Sequence, residues 1–348
     1  MVVIRIASEK DKNAWNKVAY QSPEATYAHT WEWKEVVEKG LGLSSICLIA
    51  EDKNEIVGIF PAFLKPKLED FKILKVDLDL INKFQVLWSP LDLTWDYGGP
   101  CIIPGTNEQI INDFIIEMEK LCKNRNITDI KISPFSENIS QYFILNNYKE
   151  KERLTYVIDL TKSKEDLWNG IQKSTRRYIN KAKKNGLEVF ENNSENGIKA
   201  LYELMVELEQ RENIYTPAYK FFETVLEEMV PNNLAKFYTV KYETKNIGGA
   251  LVFCFKDVVT FRYGIASEKY RSLYPHYLMH WKRIEESKLG GYKFIDFGGI
   301  PSDKNNGIYI FKSKWGGDIK KVNWYSKYIK YNKIRNFKKS VSKLKIKI

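Results

Sequence analysis

The chain has 348 residues, 44% hydrophobic and 14% aromatic, which indicates a folded protein with room for two domains rather than a disordered chain. No apolar run approaches the ~18 residues of a membrane-spanning helix, and the first residues lack a secretory signal, so we expect a cytoplasmic protein. The formal net charge is +11, but eleven of the 55 basic residues follow Asp318, the last acidic one, which leaves 44 basic and 44 acidic residues for positions 1–318.

The first half of the chain has the alternating hydrophobic periodicities of an α/β protein. Ser8 is placed to cap a first helix, and the cluster Trp31-Glu32-Trp33-Lys34 opens a second, in which we expect both tryptophans to be core residues. Residues 65–95 show no clear periodicity, and we predict an irregular segment there. The predicted elements are strands at 2–6, 45–50, 56–64 and 127–132 and helices at 8–18, 31–39 and 107–122.

The second half begins with a predicted strand at 154–160 and a long helix that is capped by Ser163 and ended by Gly186. One face of this helix is apolar, and the other is strongly cationic, with Arg176 and Arg177 among its residues. Such a face is typical of a solvated surface or of a binding site for anions, and both alternatives stay open. The other predicted elements are helices at 198–211, 219–229 and 276–289 and strands at 236–242, 249–255, 258–266 and 294–297.

Residues 294–318, FIDFGGIPSDKNNGIYIFKSKWGGD, form the most distinctive stretch of the chain. An apolar strand ends in Asp296 and the pair Gly298-Gly299, and a polar loop leads to an aromatic and cationic cluster around Lys312, closed by Gly316-Gly317. Glycine pairs leave room for a ligand to approach the backbone, and a lysine between aromatic residues suits an anionic or carbonyl group. The alternative is a surface hairpin with ordinary turn glycines.

The two halves contain a weak internal repeat. Residues 52–60, DKNEIVGIF, resemble residues 243–251, ETKNIGGAL, because in each a charged turn precedes an apolar residue, a glycine and an apolar strand. An amphipathic helix and then a strand follow both segments in the same order. The repeat predicts two related α/β domains, 1–155 and 156–325, followed by a tail, 326–348.

This element order resembles the acetyltransferase-like fold of the GNAT type, which implies an α/β (α+β) architecture with a mixed, mostly antiparallel sheet flanked by helices in each domain. In that fold a glycine-containing loop binds the pyrophosphate of coenzyme A at a helix N-terminus. The corresponding segment, Arg271-Ser272-Leu273-Tyr274-Pro275, has no glycine, so we do not expect a coenzyme A site in the second domain.

Two such domains in tandem resemble the FemABX family, whose members transfer amino acids from aminoacyl-tRNA to peptidoglycan precursors. The resemblance covers about residues 1–330 and implies an acyltransferase that acts on an amine of a cell-envelope precursor. The chain lacks the heptad-rich insertion that forms a coiled-coil arm in the glycine-adding members, which weakens an assignment as a glycyltransferase. The motifs that carry the resemblance are Trp31-Glu32-Trp33-Lys34, Asp96-Tyr97-Gly98-Gly99-Pro100, the basic segment 177–187, Asp296-Phe297-Gly298-Gly299 and residues 307–317.

The resemblance also implies roles for individual residues. Lys312 would stabilise the negative charge on the reacting carbonyl, and a carboxylate, Asp96 or Asp296, or the substrate itself would be the general base; we take Lys312 and Asp296 as the catalytic residues. Lys34 and an arginine of the second domain would bind phosphate or carboxylate of the acceptor. Aminolysis of an ester needs no covalent nucleophile, so we expect no cofactor besides the donor, aminoacyl-tRNA or acyl-CoA. The predicted substrate-binding residues are Lys34, Tyr97, Arg177, Arg211, Tyr215, Arg262, Tyr263 and Phe311.

Several of these choices also rest on local pattern. Arg262 is a cation on a predicted central strand, which favours its being paired or ligand-bound, and its neighbour Tyr263 should face the opposite side of the sheet. Arg211 and Tyr215 follow a helix end and are candidates for a loop that closes on the substrate. His276 and His280 lie four residues apart on a predicted helix, but no acid or cysteine obviously completes a metal site, and we expect none.

The tail from about residue 331 has apolar residues spaced three and four apart with lysines between them, as in a basic amphipathic helix. We expect it to hold the protein on an anionic membrane surface; contact with tRNA phosphates and a solvated helix docked on the body are the alternatives. The runner-up function is an acyl-CoA-dependent N- or O-acyltransferase acting on a sugar in polysaccharide synthesis. A non-enzymatic nucleic-acid-binding protein is a second alternative, against which the neutral body counts.

Overall fold

The computed structural model describes residues 2–66, 85–91, 96–125, 127–212 and 215–329. No helix in these ranges is long and apolar enough to cross a membrane. The strands are β1 (Val3–Ile6), β2 (Ser44–Ser45), β3 (Leu48–Asp52), β4 (Glu55–Phe60), β5 (Phe63–Pro66), β6 (Gln85–Ser89), β7 (Cys101–Ile102), β8 (Ile127–Ile132), β9 (Lys149–Asp159), β10 (Leu187–Glu191), β11 (Ala235–Tyr242), β12 (Lys245–Phe255), β13 (Val258–Ala266), β14 (Phe294–Gly299) and β15 (Asp318–Tyr328). The helices are α1 (Lys12–Gln21), α2 (Trp31–Glu35), α3 (Gln109–Asn124), α4 (Ser140–Leu145), α5 (Lys164–Gly170), α6 (Lys173–Lys184), α7 (Glu195–Glu212), α8 (Tyr219–Thr224), α9 (Pro275–Leu289) and α10 (Gly307–Lys312).

Two sheets contain the strands of the described residues. The larger has the order β10-β11-β12-β13-β14-β9-β15-β8-β6-β5-β2, and the smaller has the order β1-β3-β4-β7. The long strands β9 and β15 are antiparallel neighbours within the larger sheet. β9 also pairs with β14 of the second half, and β15 also pairs with β8 of the first half. The predicted domain boundary at 155/156 therefore falls inside a strand that both halves use.

The internal repeat corresponds to two hairpins with the same register. In the β3–β4 hairpin Ala50 lies opposite Gly58 after a β-bulge, and in the β11–β12 hairpin Val240 lies opposite Gly248 after a bulge at the same distance from the turn. In both halves a helix, α3 or α9, then leads to a strand that runs parallel to its neighbour, β8 beside β6 and β14 beside β13. The two halves are thus built from equivalent units.

The single helix predicted over 163–186 is wrong, because the chain forms two helices, α5 and α6, that are separated at Ile171. This residue has extended torsion angles, φ −73° and ψ 136°, and its side chain is buried in the core of the second half. The N–H of Gln172 donates to the carbonyl of Lys314 at 3.0 Å. The break is therefore fixed by contact with a distant segment, while the helical periodicity of the sequence continues through it.

Four strands, β6, β7, β10 and β15, lie where the sequence predicts none. β6 is part of the segment 65–95, of which residues 67–84 and 92–95 lie outside the described ranges. β15 continues past the predicted start of the tail at 326. The predicted amphipathic helix from residue 331 also lies outside the described residues.

The two halves share a hydrophobic core. Trp31 and Trp33 of the first half are fully buried, as predicted. The ring centroid of Trp33 lies 5.3 Å from that of Phe253 and 6.3 Å from that of Phe221, both in the second half. A separate core lies between the second half of the larger sheet and the helices α6 and α9, and it includes Trp315. The candidate site lies beside this second core.

Candidate active site

β13 and β14 run parallel to each other, but their pairing is short. Residues 258–260 pair with residues 294–296, and beyond them the two strands diverge. β13 continues beside β12 as far as Ala266, while β14 continues beside β9 as far as Gly299. The carbonyl groups on the edge of β14 that faces β13 therefore lose their strand partner, and other donors must satisfy them.

Lys312 supplies these donors. It ends α10, a helix whose N-terminus is capped by the side chain of Asn306. The ammonium group of Lys312 donates to the carbonyl of Phe297 at 2.7 Å and to the carbonyl of Gly299 at 2.8 Å. Burial lowers the pKa of Lys312 to about 8, against the opposing attraction of Asp296. The predicted catalytic lysine is thus a largely buried cation at the point where the strands separate.

Asp296, the second predicted catalytic residue, is buried on β14. Its Oδ1 accepts a hydrogen bond from Thr155 Oγ1 at 2.6 Å and one from the N–H of Gly298 at 2.8 Å. Tyr97 lies beside it, and burial together with the Asp296 charge raises the pKa of its hydroxyl well above the ordinary value. Asp296, Tyr97 and the exposed Lys320 line a cavity of about 190 Å³. The structure therefore brings Tyr97, Asp296 and Lys312 to the end of one strand.

A buried pair on α9 also belongs to this site. The His280 ring lies between those of Phe297 and Phe311, with centroids 4.8 Å and 5.2 Å away. Arg283 Nη2 donates to His280 Nδ1 at 2.6 Å, and because a guanidinium only donates, we assign the imidazole proton to Nε2. Burial, then the charge of Arg283, holds the pKa of His280 well below its usual value. Burial also lowers the pKa of Arg283 to about 9.

From the sequence alone, His280 is a candidate only for a metal site, and Arg283 is not a predicted site residue. The signal for this pair is the spacing of three residues on a predicted helix, which places both side chains on one face. Nothing in that spacing indicates burial beside the lysine, which depends on how α9 packs against β14.

A cavity of about 480 Å³ lies at the start of α9, with Phe311 and His280 among its lining residues. Tyr274, just before the helix, has left-handed torsion angles, φ 64° and ψ 39°, and Pro275 occupies the first helical position. Pro275 has no N–H to offer, and the N–H groups of Tyr274 and Tyr277 donate to carbonyls of the turn. The expectation that this half has no coenzyme A site, which rests on the missing glycines, stays a prediction.

Arg262 and Tyr263 lie side by side rather than on opposite faces, so the predicted alternation is wrong. A β-bulge makes Arg262 an extra residue of β13, and its guanidinium lies 5.1 Å from the centroid of the Tyr263 ring. Arg262 forms an ion pair with Asp96 at 3.1 Å, in which each side chain is 1% exposed. The hydroxyl of Tyr27 donates to the same carboxylate. Arg262 is therefore paired, and its contact with substrate stays a prediction.

Lys34 is held by carboxylates of the first half. Its ammonium lies 2.9 Å from Glu38 and 3.3 Å from Glu9, and 4.4 Å from the centroid of the Trp31 ring. These contacts already give the lysine a role in packing α2 against the N-terminal segment. Its role in binding an acceptor stays a prediction.

The remaining predicted residues lie on the surface of the second half. Arg177 is exposed on the outer face of α6. Arg211 is exposed at the end of α7, where it pairs with Glu212 at 2.9 Å, and the side chain of Tyr215 is 69% exposed. No contact joins these three residues to Lys312 in the described part of the chain, and their contacts with substrate stay predictions.

Comparisons with known proteins identify the fold. Residues 170–313 match the family described as acetyltransferase (GNAT) domain. The crystal structure of FemX is similar, with a TM-score of 0.68 at 15% identity over 92% of this chain and 96% of that one. A tandem GNAT protein from the clavulanic acid biosynthesis pathway has a TM-score of 0.59 at 9% identity over 95% of this chain and 99% of that one. The predicted tandem GNAT-like fold is confirmed.

Curated relatives extend the similarity to sequence. The lipid II:glycine glycyltransferase of Staphylococcus haemolyticus is 22% identical over 299 residues, covering 65% of this chain and 70% of the relative. The protein of the same name from Staphylococcus aureus is 19% identical over 345 residues, covering 71% of this chain and 80% of the relative. The match to the GNAT domain and the names of these relatives define an acyltransferase, and the fold shows that it is built from two GNAT-like halves. Within that class the chain is a FemABX-like enzyme, as its motifs predict.

Proposed function

We propose that this acyltransferase moves an aminoacyl group from aminoacyl-tRNA to an amine of a lipid-linked cell-wall precursor. The observation that carries the proposal is the partly buried ammonium of Lys312, which lies where β13 and β14 separate. Lys312 follows Phe311, a residue of the cavity wall at α9. The names of the two relatives specify lipid II, which supports an acceptor of that kind. Because the chain lacks the coiled-coil insertion, we do not extend their preference for glycine to it.

In the proposed reaction the acceptor amine attacks the carbonyl carbon of the aminoacyl ester. A C–N bond forms while negative charge develops on the carbonyl oxygen, and the protonated Lys312 stabilises that charge. The C–O bond of the ester then breaks, and the ribose hydroxyl of the tRNA leaves with the proton that the amine gives up. We assign the transfer of this proton to Asp296. Positioning of the two substrates contributes much of the remaining acceleration.

The choice of donor follows from two features of the second half. The turn at Tyr274 and Pro275 offers few backbone N–H groups for the pyrophosphate of coenzyme A. The outer face of α6 is strongly cationic, which suits the phosphates of an RNA donor. Acyl-CoA is therefore the second candidate donor.

A donor competition tests the proposal. The purified protein receives lipid II in detergent with tRNA charged with labelled amino acids, and in parallel reactions with labelled acetyl-CoA. We expect label in lipid II from charged tRNA alone. Label from acetyl-CoA alone would show that the donor is acyl-CoA and not aminoacyl-tRNA. No label from either donor would contradict transfer to lipid II.

The matched control for this assay is Lys312→Met. Loss of one donor to an oxyanion lowers kcat by about 10²–10³-fold, and we expect an effect of that size. Thermal unfolding of the variant shows whether it is folded. Full turnover by a folded variant would remove Lys312 from the chemistry.

We propose further that the protein is cytoplasmic and acts at the inner membrane surface, where a lipid-linked acceptor presents its head group. The basic pattern of the tail, residues 331–348, supports this location, although the tail lies outside the described residues. Deletion of 330–348 should release the protein from vesicles that contain phosphatidylglycerol. Unchanged binding would contradict the proposal, and displacement of the full chain by tRNA would indicate a tail that also contacts RNA.

A further inference from the structure

α6 presents a cationic groove to solvent. Its inner face buries Thr175, Ile179 and Ala182 against the second core. The outer face forms a broad groove of about 740 Å³, and no carboxylate is among the described residues that line it. Because residues 1–318 are neutral as a whole, this concentration of positive charge is local. The cations of the groove are Lys173, Arg176, Arg177, Lys181 and Lys184.

Three tyrosines join this groove to the cavity at the start of α9. Tyr178 of α6 stacks on Tyr274, with centroids 4.6 Å apart and planes at 15°, and its centroid lies 4.9 Å from that of Tyr277. Tyr274 and Tyr277 also line the cavity. Lys181, a residue of the groove, has its ammonium 5.7 Å from the centroid of the Tyr274 ring. We call these three residues the tyrosine ridge.

The backbone of Tyr274 is unusual for a residue of its size. Its φ of 64° is in the left-handed region, which a bulky side chain rarely adopts. Such conformations persist where surrounding contacts over-determine them, and they cluster at binding sites. Here the conformation places the ring against Tyr178, at the border between groove and cavity.

We propose that the groove of α6 and the tyrosine ridge bind the single-stranded 3′ end of the donor RNA. Phosphates lie along the cations of α6, terminal bases stack on the ridge, and the acylated end enters the cavity beside Phe311. A cationic groove next to aromatic faces is the combination that binds single-stranded nucleic acid with little sequence preference. The inference rests on the proposed tRNA donor and names the surface that receives it.

An anionic membrane is the competing partner for a cationic helix. Membrane-surface helices insert large apolar side chains beside their cations. The residues that line the groove are cationic, apart from Ser174 and Asn180, and offer no such side chain. The described groove therefore favours RNA.

Binding of a short single-stranded RNA to the full chain, followed by fluorescence anisotropy over a range of salt, tests the groove. For single strands the slope of log K against log salt is about −0.7 per phosphate contact. The variant Arg177→Gln/Lys181→Gln should bind at least about tenfold more weakly, with a slope smaller by about 1.4. The control Lys120→Gln/Lys123→Gln, on the solvent face of α3, should bind like the unmodified chain. All variants keep the basic tail, so differences report on α6.

The ridge requires a different pair of variants. Tyr178→Ala removes a stacking face and should weaken RNA binding about tenfold without changing the salt slope. Tyr178→Phe keeps the ring and should bind like the unmodified chain. Equal binding by both variants would overturn the role of the ridge. Weaker binding of phosphatidylglycerol vesicles by the α6 variant, with unchanged RNA binding, would assign the groove to a membrane and overturn the proposal.

Turnover separates this inference from the proposed function. With aminoacyl-tRNA as donor, the α6 variant should have a KM for tRNA about tenfold higher and an unchanged kcat, because the reacting groups are not altered. If the unmodified chain uses acetyl-CoA alone, both the proposed tRNA donor and this inference are wrong. Use of aminoacyl-tRNA with an unchanged KM in the α6 variant would overturn this inference and leave the proposed function standing.

Discussion

The environment of Lys312 makes its charge sensitive to pH. Gly298 has a positive φ of 84°, and a Cβ there would lie 3.3 Å from Lys312 Nζ, so glycine at this position keeps the room that the ammonium occupies. Burial lowers the pKa of Lys312 to about 8, and the protonated form is the one that stabilises an oxyanion. The catalytic charge is therefore present below pH 8 and is lost as pH rises through that value.

We accordingly expect kcat/KM to fall as pH rises through about 8. In Lys312→Arg the side chain keeps its proton over the whole range, so the activity that remains should lack this decline. Initial rates between pH 6 and 9.5, corrected for spontaneous hydrolysis of the donor ester, measure the effect. The same decline in both enzymes would show that another group titrates.

The buried ion pair between Asp96 and Arg262 should affect the stability of the fold. Both side chains are 1% exposed, and the pair joins a loop of the first half to β13 of the second. Removing one partner of a buried pair leaves a charge in a poorly solvated place and typically costs about 3–5 kcal/mol. We expect Arg262→Met to lower the free energy of unfolding by that amount in urea titration. Asp96→Asn/Arg262→Met should lose less than the two single variants combined, and strict additivity would contradict the coupling.

At the scale of elements, the close approach of Gly316 to Gly170 fixes the break between α5 and α6. Gly316 has a φ of 74°, and a Cβ there would lie 2.8 Å from the carbonyl carbon of Gly170. Gly186 has a similar φ of 78°, but a Cβ there would meet nothing within 4 Å. These two glycines separate the cost of a left-handed backbone from the cost of a steric clash.

We expect Gly186→Ala to destabilise the protein by about 1–2 kcal/mol, the cost of the left-handed backbone alone. Gly316→Ala should lose about 1–3 kcal/mol more, because backbone atoms of Gly170 cannot move aside easily. Urea unfolding of the two variants measures the difference. Equal losses of stability in the two variants would show that the α5–α6 junction accommodates the added methyl group without a cost in free energy.

The elements that the sequence predicts well are those set by local pattern. The two hairpins are encoded by charged turns, glycines and apolar strands within a few residues, and α3 and α9 by their helical periodicity. β15 and the break at Ile171 depend on partners far along the chain, and periodicity carries no information about them. The bulge at Arg262 likewise follows from pairing with β12 and from Asp96, so strict alternation misplaces Tyr263.

In the candidate site, too, local motifs predict some residues, whereas others depend on contacts between distant parts of the chain. The motifs at 96–100 and 294–318 contain Tyr97, Asp296 and Lys312, and the structure brings these three residues to one strand end. The tyrosine ridge and Arg283 come from the packing of α9 against α6 and β14, which neither motif describes. A resemblance thus identifies residues within its motifs, whereas the surfaces between motifs require the fold.

At the scale of the whole molecule, the two halves do not behave as separate bodies joined by a linker. β9 and β15 each pair with strands of both halves, and Trp33 packs on Phe221 and Phe253 across the junction. Domains that meet through small polar interfaces unfold independently, whereas a shared sheet and a shared apolar core couple them. The repeat in the sequence shows that the two halves are built from equivalent elements. The shared sheet joins these halves into one folding unit.

We therefore expect one cooperative unfolding transition for the full chain and for residues 1–329, with equal calorimetric and van't Hoff enthalpies. The fragment 156–325 should not fold by itself, because the cut removes part of β9 and exposes Phe221 and Phe253 to water. Calorimetry of the three proteins measures this, with 1–329 as the control for loss of the tail. Two separated transitions in the full chain, or a cooperative transition in the fragment at the same temperature, would show that the halves are independent.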